Sequence, residues 1–176
     1  MKKTNTIIYS QKFFKVEEKN FSLTHGRSKR YSFVHRKPIS VVLPLIDKNN
    51  LYLISQYRYI FSKRILEAPA GHIDEGETAI DAAKRELKEE TGLVASNWKK
   101  LIEYDTSGSV IKSHVSIFLA KNLEKQESLP EEHEDIKLVK ISLKNAVEKV
   151  LSGQISTAPT IIGILLLDKI YREEKI

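Results

Sequence analysis

The sequence contains no cysteine. That absence excludes a disulfide framework, a thiolate metal site and a cysteine nucleophile. It also has no long apolar run. The longest, "IIGILLL" at Ile161–Leu167, falls far short of the ~20 residues needed to cross a bilayer. The opening "MKKTNTIIYSQKFF" begins with basic residues, but no apolar stretch of signal-peptide length follows them. There is no internal repeat and no low-complexity segment. These absences point to a cytoplasmic protein with no membrane partner. The net charge of +6 favours anionic partners. Much of the basicity lies before Pro38, as in "HGRSKRYSFVHRK", with no aromatic-plus-basic nucleic-acid motif beside it. That stretch reads as a solvated hairpin next to a phosphate site, which argues against a nucleic-acid partner.

What is present suits one domain with a modest appendage. The chain has 176 residues, 41% of them hydrophobic and 30% charged, enough to build a core. The first part is β-rich, with "TIIYSQKFFKVEEKNFSLTHG" and "RYSFVHR" broken at Asn20 and Gly26. Pro38 marks a boundary between an N-terminal β unit, residues 1–38, and a main domain, residues 39–176. "ISVVLPLI" and "LYLISQYRYI" flank the turn signal "DKNN", which predicts a hairpin leading into a central sheet. After "LEAPAG" the period becomes helical, with Ile80, Ala83 and Leu87 on one face. Thr78 opens a capping box and Gly92 is placed as the stop. Further strands are expected at "LIEYDTS", "HVSIFLA" and "IKLVKIS". Two helices close the chain, "LKNAVEKVLSG" and "PTIIGILLLDKIYREE", the second with Pro159 in its first turn. The pattern is that of a mixed α/β domain rather than a series of parallel βαβ units.

The first helix carries the chemistry. Glu86 and Glu90 are one turn apart on a single face, with Glu89 beside them, although like charges at that spacing repel. Three converging carboxylates make an all-oxygen site of the kind that Mg²⁺ or Mn²⁺ prefers. Mg²⁺ completes its shell with waters and substrate phosphate, so such a helix suggests phosphate handling. Arg85 stands four residues before Glu89, placed to pair with it. Taken alone, "KRELKEE" reads more readily as a solvated helical face, where lysines and glutamates trade weak contacts.

The wider spacing decides between these readings. Gly71, five residues, Glu77, seven residues, then "RELKEETGL" from Arg85 to Leu93 resembles the Nudix box at every defining position. The resemblance implies an α/β/α sandwich with a mixed sheet, and hydrolysis of a nucleoside diphosphate linked to another group. It implies Glu86 and Glu90 as metal ligands, Glu89 as a further ligand or base, and Arg85 as their electrostatic anchor. Two or more Mg²⁺ ions are expected, with Mn²⁺ as the alternative.

Flanking residues narrow the subfamily. "QYRYIFSKRILEAPAG" resembles the approach to the box in ADP-ribose pyrophosphatases and related nucleoside diphosphate sugar hydrolases. That resemblance implies the Ala70 carbonyl as a metal ligand, with Arg58 and Glu67 contacting substrate. "EEHEDIKLVKIS" resembles the acidic loop of the same subfamily, which implies Glu132 as the base and Glu134 as a group near the metals. A base outside the helix makes chemical sense, since carboxylates committed to metals are poor proton acceptors; Glu89 is the second candidate. "DTSGSVIKSH" keeps Gly108, a candidate substrate contact, but lacks the proline common at that turn. This departure favours other nucleoside diphosphate sugars over ADP-ribose itself. His72 and His133 are left without a role. The segment before Pro38 resembles the dimerisation unit of these enzymes, which implies a homodimer. Two rival functions remain: an RNA 5′-pyrophosphohydrolase, and a nucleotide-sugar sensor that does not cleave. The first is opposed by "EAPAG" and the acidic loop, the second by the retained box glutamates.

Overall fold

The computed structural model describes residues 5–24, 27–126 and 135–173. Three antiparallel strands come first: β1 (Asn5–Ser10), β2 (Phe14–Ser22) and β3 (Ser28–Arg36). Next follow β4 (Ile39–Pro44), β5 (Asn50–Arg58), β6 (Lys63–Glu67), β7 (Ala70–His72) and helix α1 (Ala79–Thr91). The chain then forms β8 (Leu93–Asp105), β9 (Ile111–Lys112), β10 (His114–Lys125), β11 (Ile136–Ser142), α2 (Leu143–Leu151) and α3 (Ala158–Glu173).

The strands form three sheets, ordered β1-β2-β3-β9, β7-β4-β10-β8 and β11-β5-β6. All six residues of β4 are buried, and the strand pairs in parallel with β10. A strand covered on both faces reads as a continuous apolar run, and "ISVVLP" is one. Its two faces serve different layers. Val42, with Phe118 and Ala120 of β10, packs against Ala83 and Leu87 of α1. Val41, Leu43, Ile117 and Leu119 pack in the cluster that holds Ile164 and Leu167 of α3. Helices on opposite faces of one sheet give the mixed α/β sandwich. Gly163 lets α3 sit close, because a Cβ there would lie 3.0 Å from Leu43 Cδ1.

The local signals for α1 act as expected. Thr78 Oγ1 accepts from the Asp81 amide, and Gly92 ends the helix at φ 66° with its amide donating to Lys88 O. A left-handed terminus of this kind suits glycine. Ser142 caps α2 by accepting from the Asn145 amide.

The expected hairpin across "DKNN" is corrected. Asp47 Oδ1 does accept from the Asn49 and Asn50 amides, at 2.7 and 2.9 Å, forming the turn. The strands it joins then separate into different sheets, with the bridge Leu45↔Leu51 and the Ile46 amide donating to the Asn50 carbonyl at 2.9 Å beside the turn. β4 needs cover on both faces, and β5 finds its partners in β6 and β11. The hairpin that does form joins β5 to β6 through a 3-10 turn at Tyr59–Phe61, where Ser62 adopts φ 50°. A serine in that region gives no sequence signal comparable to Asn-Gly. Pro38 lies between β3 and β4, and β9 joins the N-terminal sheet by pairing with β3.

Candidate functional site

The outer face of α1 looks onto the loop from Ala70 to Glu77, and Arg85 ties the two together. Its Nε donates to Glu77 Oε1 at 2.9 Å, and its Nη2 donates to Glu77 Oε2 at 3.1 Å and to the His72 carbonyl at 2.9 Å. Its Nη1 donates to Glu86 Oε1 at 2.6 Å and to Glu89 Oε2 at 3.0 Å. One planar fork therefore gathers three carboxylates and a backbone carbonyl, a task that suits arginine and not lysine. The hydrogen bond to Glu77, with support from Glu86 and Glu89, raises the guanidinium pKa well above its ordinary value against the cost of burial. The same bond to Arg85 holds the Glu77 carboxyl below its ordinary pKa.

Two backbone features fix the remaining carboxylates. Glu90 Oε2 accepts from the Ala70 amide at 2.9 Å. Gly71 passes so close to α1 that a Cβ there would stand 1.8 Å from Glu86 Oε1. A glycine here leaves the space that a Cβ would fill to the Glu86 carboxylate. Gly71 pairs with Ser40 of β4, whose hydroxyl donates to the Ala79 carbonyl at 2.7 Å at the start of α1. The sheet, the loop and the helix are thereby joined on the line of the carboxylates.

A cleft of about 810 Å³ opens in front of this array, lined by Ala70, Gly71, Arg85, Glu86, Glu89 and Glu90. Arg58 and Glu67 line it too. They are paired with each other, Arg58 Nε donating to Glu67 Oε1 at 2.7 Å. The Ala68 amide donates to Thr160 Oγ1 of α3 at 3.0 Å, which anchors "EAPAG" from behind.

The donors fit a hard divalent cation in kind. Glu86, Glu89 and Glu90 offer only oxygen, and the Gly71 cradle seats one carboxylate against the strand backbone. As they stand, no three His, Asp or Glu side chains among the described residues converge as a ready cage. The Glu86 carboxylate is engaged by Arg85, and that of Glu90 by the Ala70 amide.

Most of the residues predicted from sequence meet at this cleft. Gly108 does not: it lies between β8 and β9, away from the lining residues. Glu132 and Glu134, with His133, lie outside the described residues. Several lining groups carried no sequence signal: Lys12 and Phe13 from the turn between β1 and β2, Arg36 at the end of β3, and Thr157, Pro159 and Thr160 at the start of α3. His72 also reaches the cleft, its ring stacked on Phe13 with centroids 4.5 Å apart. Burial, with Arg36 and Lys37 nearby, lowers its pKa. A lone histidine after Gly71 has no partner at a telling spacing, so no signal singled it out.

The chain matches the NUDIX domain over residues 35–153. It is 29% identical over 162 residues to the ADP-ribose pyrophosphatase of Bacillus subtilis (strain 168), covering 91% of this chain and 88% of that one. It is 28% identical to the methanol dehydrogenase activator of Bacillus methanolicus, again over 91% of this chain and 88% of the relative. The ADP-ribose pyrophosphatase of Mycobacterium tuberculosis (strain ATCC 25618 / H37Rv) is 34% identical over 128 residues, 70% of this chain and 61% of that one. A solved ADP compounds hydrolase superposes with a TM-score of 0.83 at 24% identity, covering 99% of this chain and 96% of its own. That last likeness speaks for the fold.

Proposed function

For a chain that belongs to the NUDIX domain family and is a Nudix pyrophosphatase, we propose hydrolysis of the diphosphate of ADP-ribose or a related nucleoside diphosphate sugar. The products are a nucleoside monophosphate and a sugar phosphate; for ADP-ribose they are AMP and ribose 5-phosphate. The observation that carries this reading is the Arg85-centred carboxylate array facing a cleft with Arg58 on its wall. Glu86, Glu90 and the Ala70 carbonyl would hold Mg²⁺, with Mn²⁺ as the alternative and two or more ions per site, and Glu134 would stand near them. When bound, the cation neutralises phosphate oxygens and acidifies a water. Arg58 and Glu67 position the substrate, and Arg85 keeps the carboxylates in register. Glu132 takes the proton of the attacking water, with Glu89 as the second candidate for that role.

The N-terminal β unit supports a homodimeric reading, since Ile7, Ile8 and Tyr9 of β1 are all exposed in the single chain. Light scattering at micromolar concentration should give twice the monomer mass; a monomer mass would remove this part. The test of the activity is a panel of nucleoside diphosphate sugars, capped RNA and uncapped RNA 5′-triphosphate at fixed Mg²⁺. Phosphate is scored after phosphatase treatment of the products. Turnover of the sugars well above the RNAs is expected, and the reverse order would overturn the assignment.

A further inference from the structure

The cleft has a second charged side, and its sign is positive. Lys12 stands in the turn between β1 and β2, and Arg36 is the last residue of β3. Both are exposed, and both line the cleft. The Lys37 amide donates to the Phe13 carbonyl at 2.9 Å, and Arg36 pairs in register with Phe14. The turn and the end of β3 are thereby held side by side. Lys12 Nζ lies 5.0 Å from the centroid of the Phe13 ring, whose stack on His72 ties it to the loop after β7. Burial lowers the His72 pKa, and Arg36, Lys37 and Lys12 lower it further, so the three cations converge on one imidazole. His72 Nε2 is itself buried, with no hydrogen-bond partner among the described residues.

Lys37 is closed by Asp74 at 3.2 Å, and Arg58 by Glu67 at 2.7 Å. Neither Lys12 nor Arg36 forms an ion pair with a carboxylate among the described residues; the printed partner of Lys12 is the Phe13 ring. Two cations left over beside a cleft suit an anionic ligand. In the reading above the diphosphate is served by the cation at α1 and by Arg58, which leaves Lys12 and Arg36 for a further anionic group. A phosphate monoester matches these donors. It carries close to two charges at neutral pH, enough to answer both cations, where a carboxylate carries one. Arg36 offers a planar fork for two of its oxygens, Lys12 a mobile point charge, and His72 a ring nitrogen. A sugar hydroxyl in the same place would leave both charges uncompensated.

We propose that Lys12 and Arg36, with His72 beside them, form a subsite for a phosphate monoester that the substrate carries in addition to its diphosphate. The proposal rests on the nucleoside diphosphate sugar reading and narrows it to substrates phosphorylated on one of their sugars. Its test compares ADP-ribose, ADP-ribose 2′-phosphate and ADP-ribose 1″-phosphate at fixed Mg²⁺, the last two carrying the extra phosphate at opposite ends of one molecule. Products are separated and quantified by chromatography, because a phosphatase step would count the extra group. At least one phosphorylated compound should exceed ADP-ribose in kcat/KM by about 10-fold or more, on the scale of a charge-assisted contact. In the Lys12→Gln, Arg36→Gln double variant that preference should shrink to about two-fold or less, with thermal unfolding as the control for folding. A parent enzyme that turns over neither phosphorylated compound better than ADP-ribose would overturn the subsite and leave the proposed activity standing. So would a preference that survives in the double variant, since the two cations would then serve the diphosphate alone. A parent enzyme that hydrolyses RNA 5′-triphosphate and none of the three compounds would overturn the proposed activity, and the subsite with it.

Discussion

Two groups of charged side chains in this molecule share a chemistry and differ in their balance. On the N-terminal sheet Glu17 is buried, its Oε2 lying 3.1 Å from Lys19 Nζ and 2.6 Å from His35 Nε2. Burial works to raise its pKa, and the hydrogen bonds from Lys19 and His35 outweigh it, so the carboxyl titrates below its ordinary value. One carboxylate there has two basic partners and is not among the residues lining the cleft beside α1. On α1 the ratio is inverted. One guanidinium, that of Arg85, is shared among Glu77, Glu86 and Glu89, and Glu90 accepts from a backbone amide. A structural cluster closes its own charge, whereas a cluster that keeps an excess of one sign beside a cleft is arranged for a ligand of the other sign. The excess on α1 is negative, which fits a cation and not the substrate's phosphates directly.

The largest effect is expected at the unbalanced cluster. Glu90→Gln removes one charge without changing volume, and the amide oxygen can still accept from the Ala70 amide. Steady-state turnover should fall to background while the thermal unfolding midpoint shifts little. Turnover within a few-fold of the parent at saturating Mg²⁺ would erase the contrast between the two clusters. Next comes Glu132→Gln, for which a kcat loss of about 10²–10⁴-fold is expected with an unchanged Mg²⁺ requirement, the signature of a lost general base. Should Glu89→Gln show that loss instead, the base is on α1.

Gly71→Ala sharpens the comparison by steric means alone. The added methyl would meet the Glu86 carboxylate, the movable end of a flexible side chain. Folding should survive and the carboxylate should swing aside, costing roughly 10²-fold in kcat/KM. A fully active Gly71→Ala enzyme would show that the Glu86 position does not matter. The smallest effect belongs to Glu17→Gln, which should leave turnover unchanged. The folded-state pKa of Glu17 is depressed, so the stability it contributes is present above its unfolded pKa and is lost as pH falls through the folded one. The difference in unfolding midpoint between parent and variant should therefore be visible at neutral pH and vanish in acid. A difference that grows as pH falls would contradict the pairing.

The helix and its charged residues were legible because they are local. Arg85, Glu86, Glu89, Glu90 and the caps Thr78 and Gly92 lie within one stretch whose spacing alone sets their faces. Gly71 was legible as a position of the box, but its physical reason appears only when the strand is laid against Glu86. What escaped depends on distant parts of the chain meeting. Phe13 reaches the cleft from the turn between β1 and β2, Arg36 from β3 and Thr160 from α3, and nothing in "KFFK" or "APTI" announces that destination. β4 and β5 flank a sound turn signal, yet burial of β4 on both faces sends them to separate sheets.

The central claim is that the excess carboxylates on α1 hold a divalent cation. Direct titration of the metal-free protein with Mn²⁺, followed by electron paramagnetic resonance without substrate, tests it independently of turnover. The account predicts that the parent and Glu17→Gln proteins bind Mn²⁺ alike, and that Glu86→Gln and Glu90→Gln each weaken binding by about 10-fold or more, on the scale of losing a charged ligand. Equal Mn²⁺ affinity in all four proteins would contradict it.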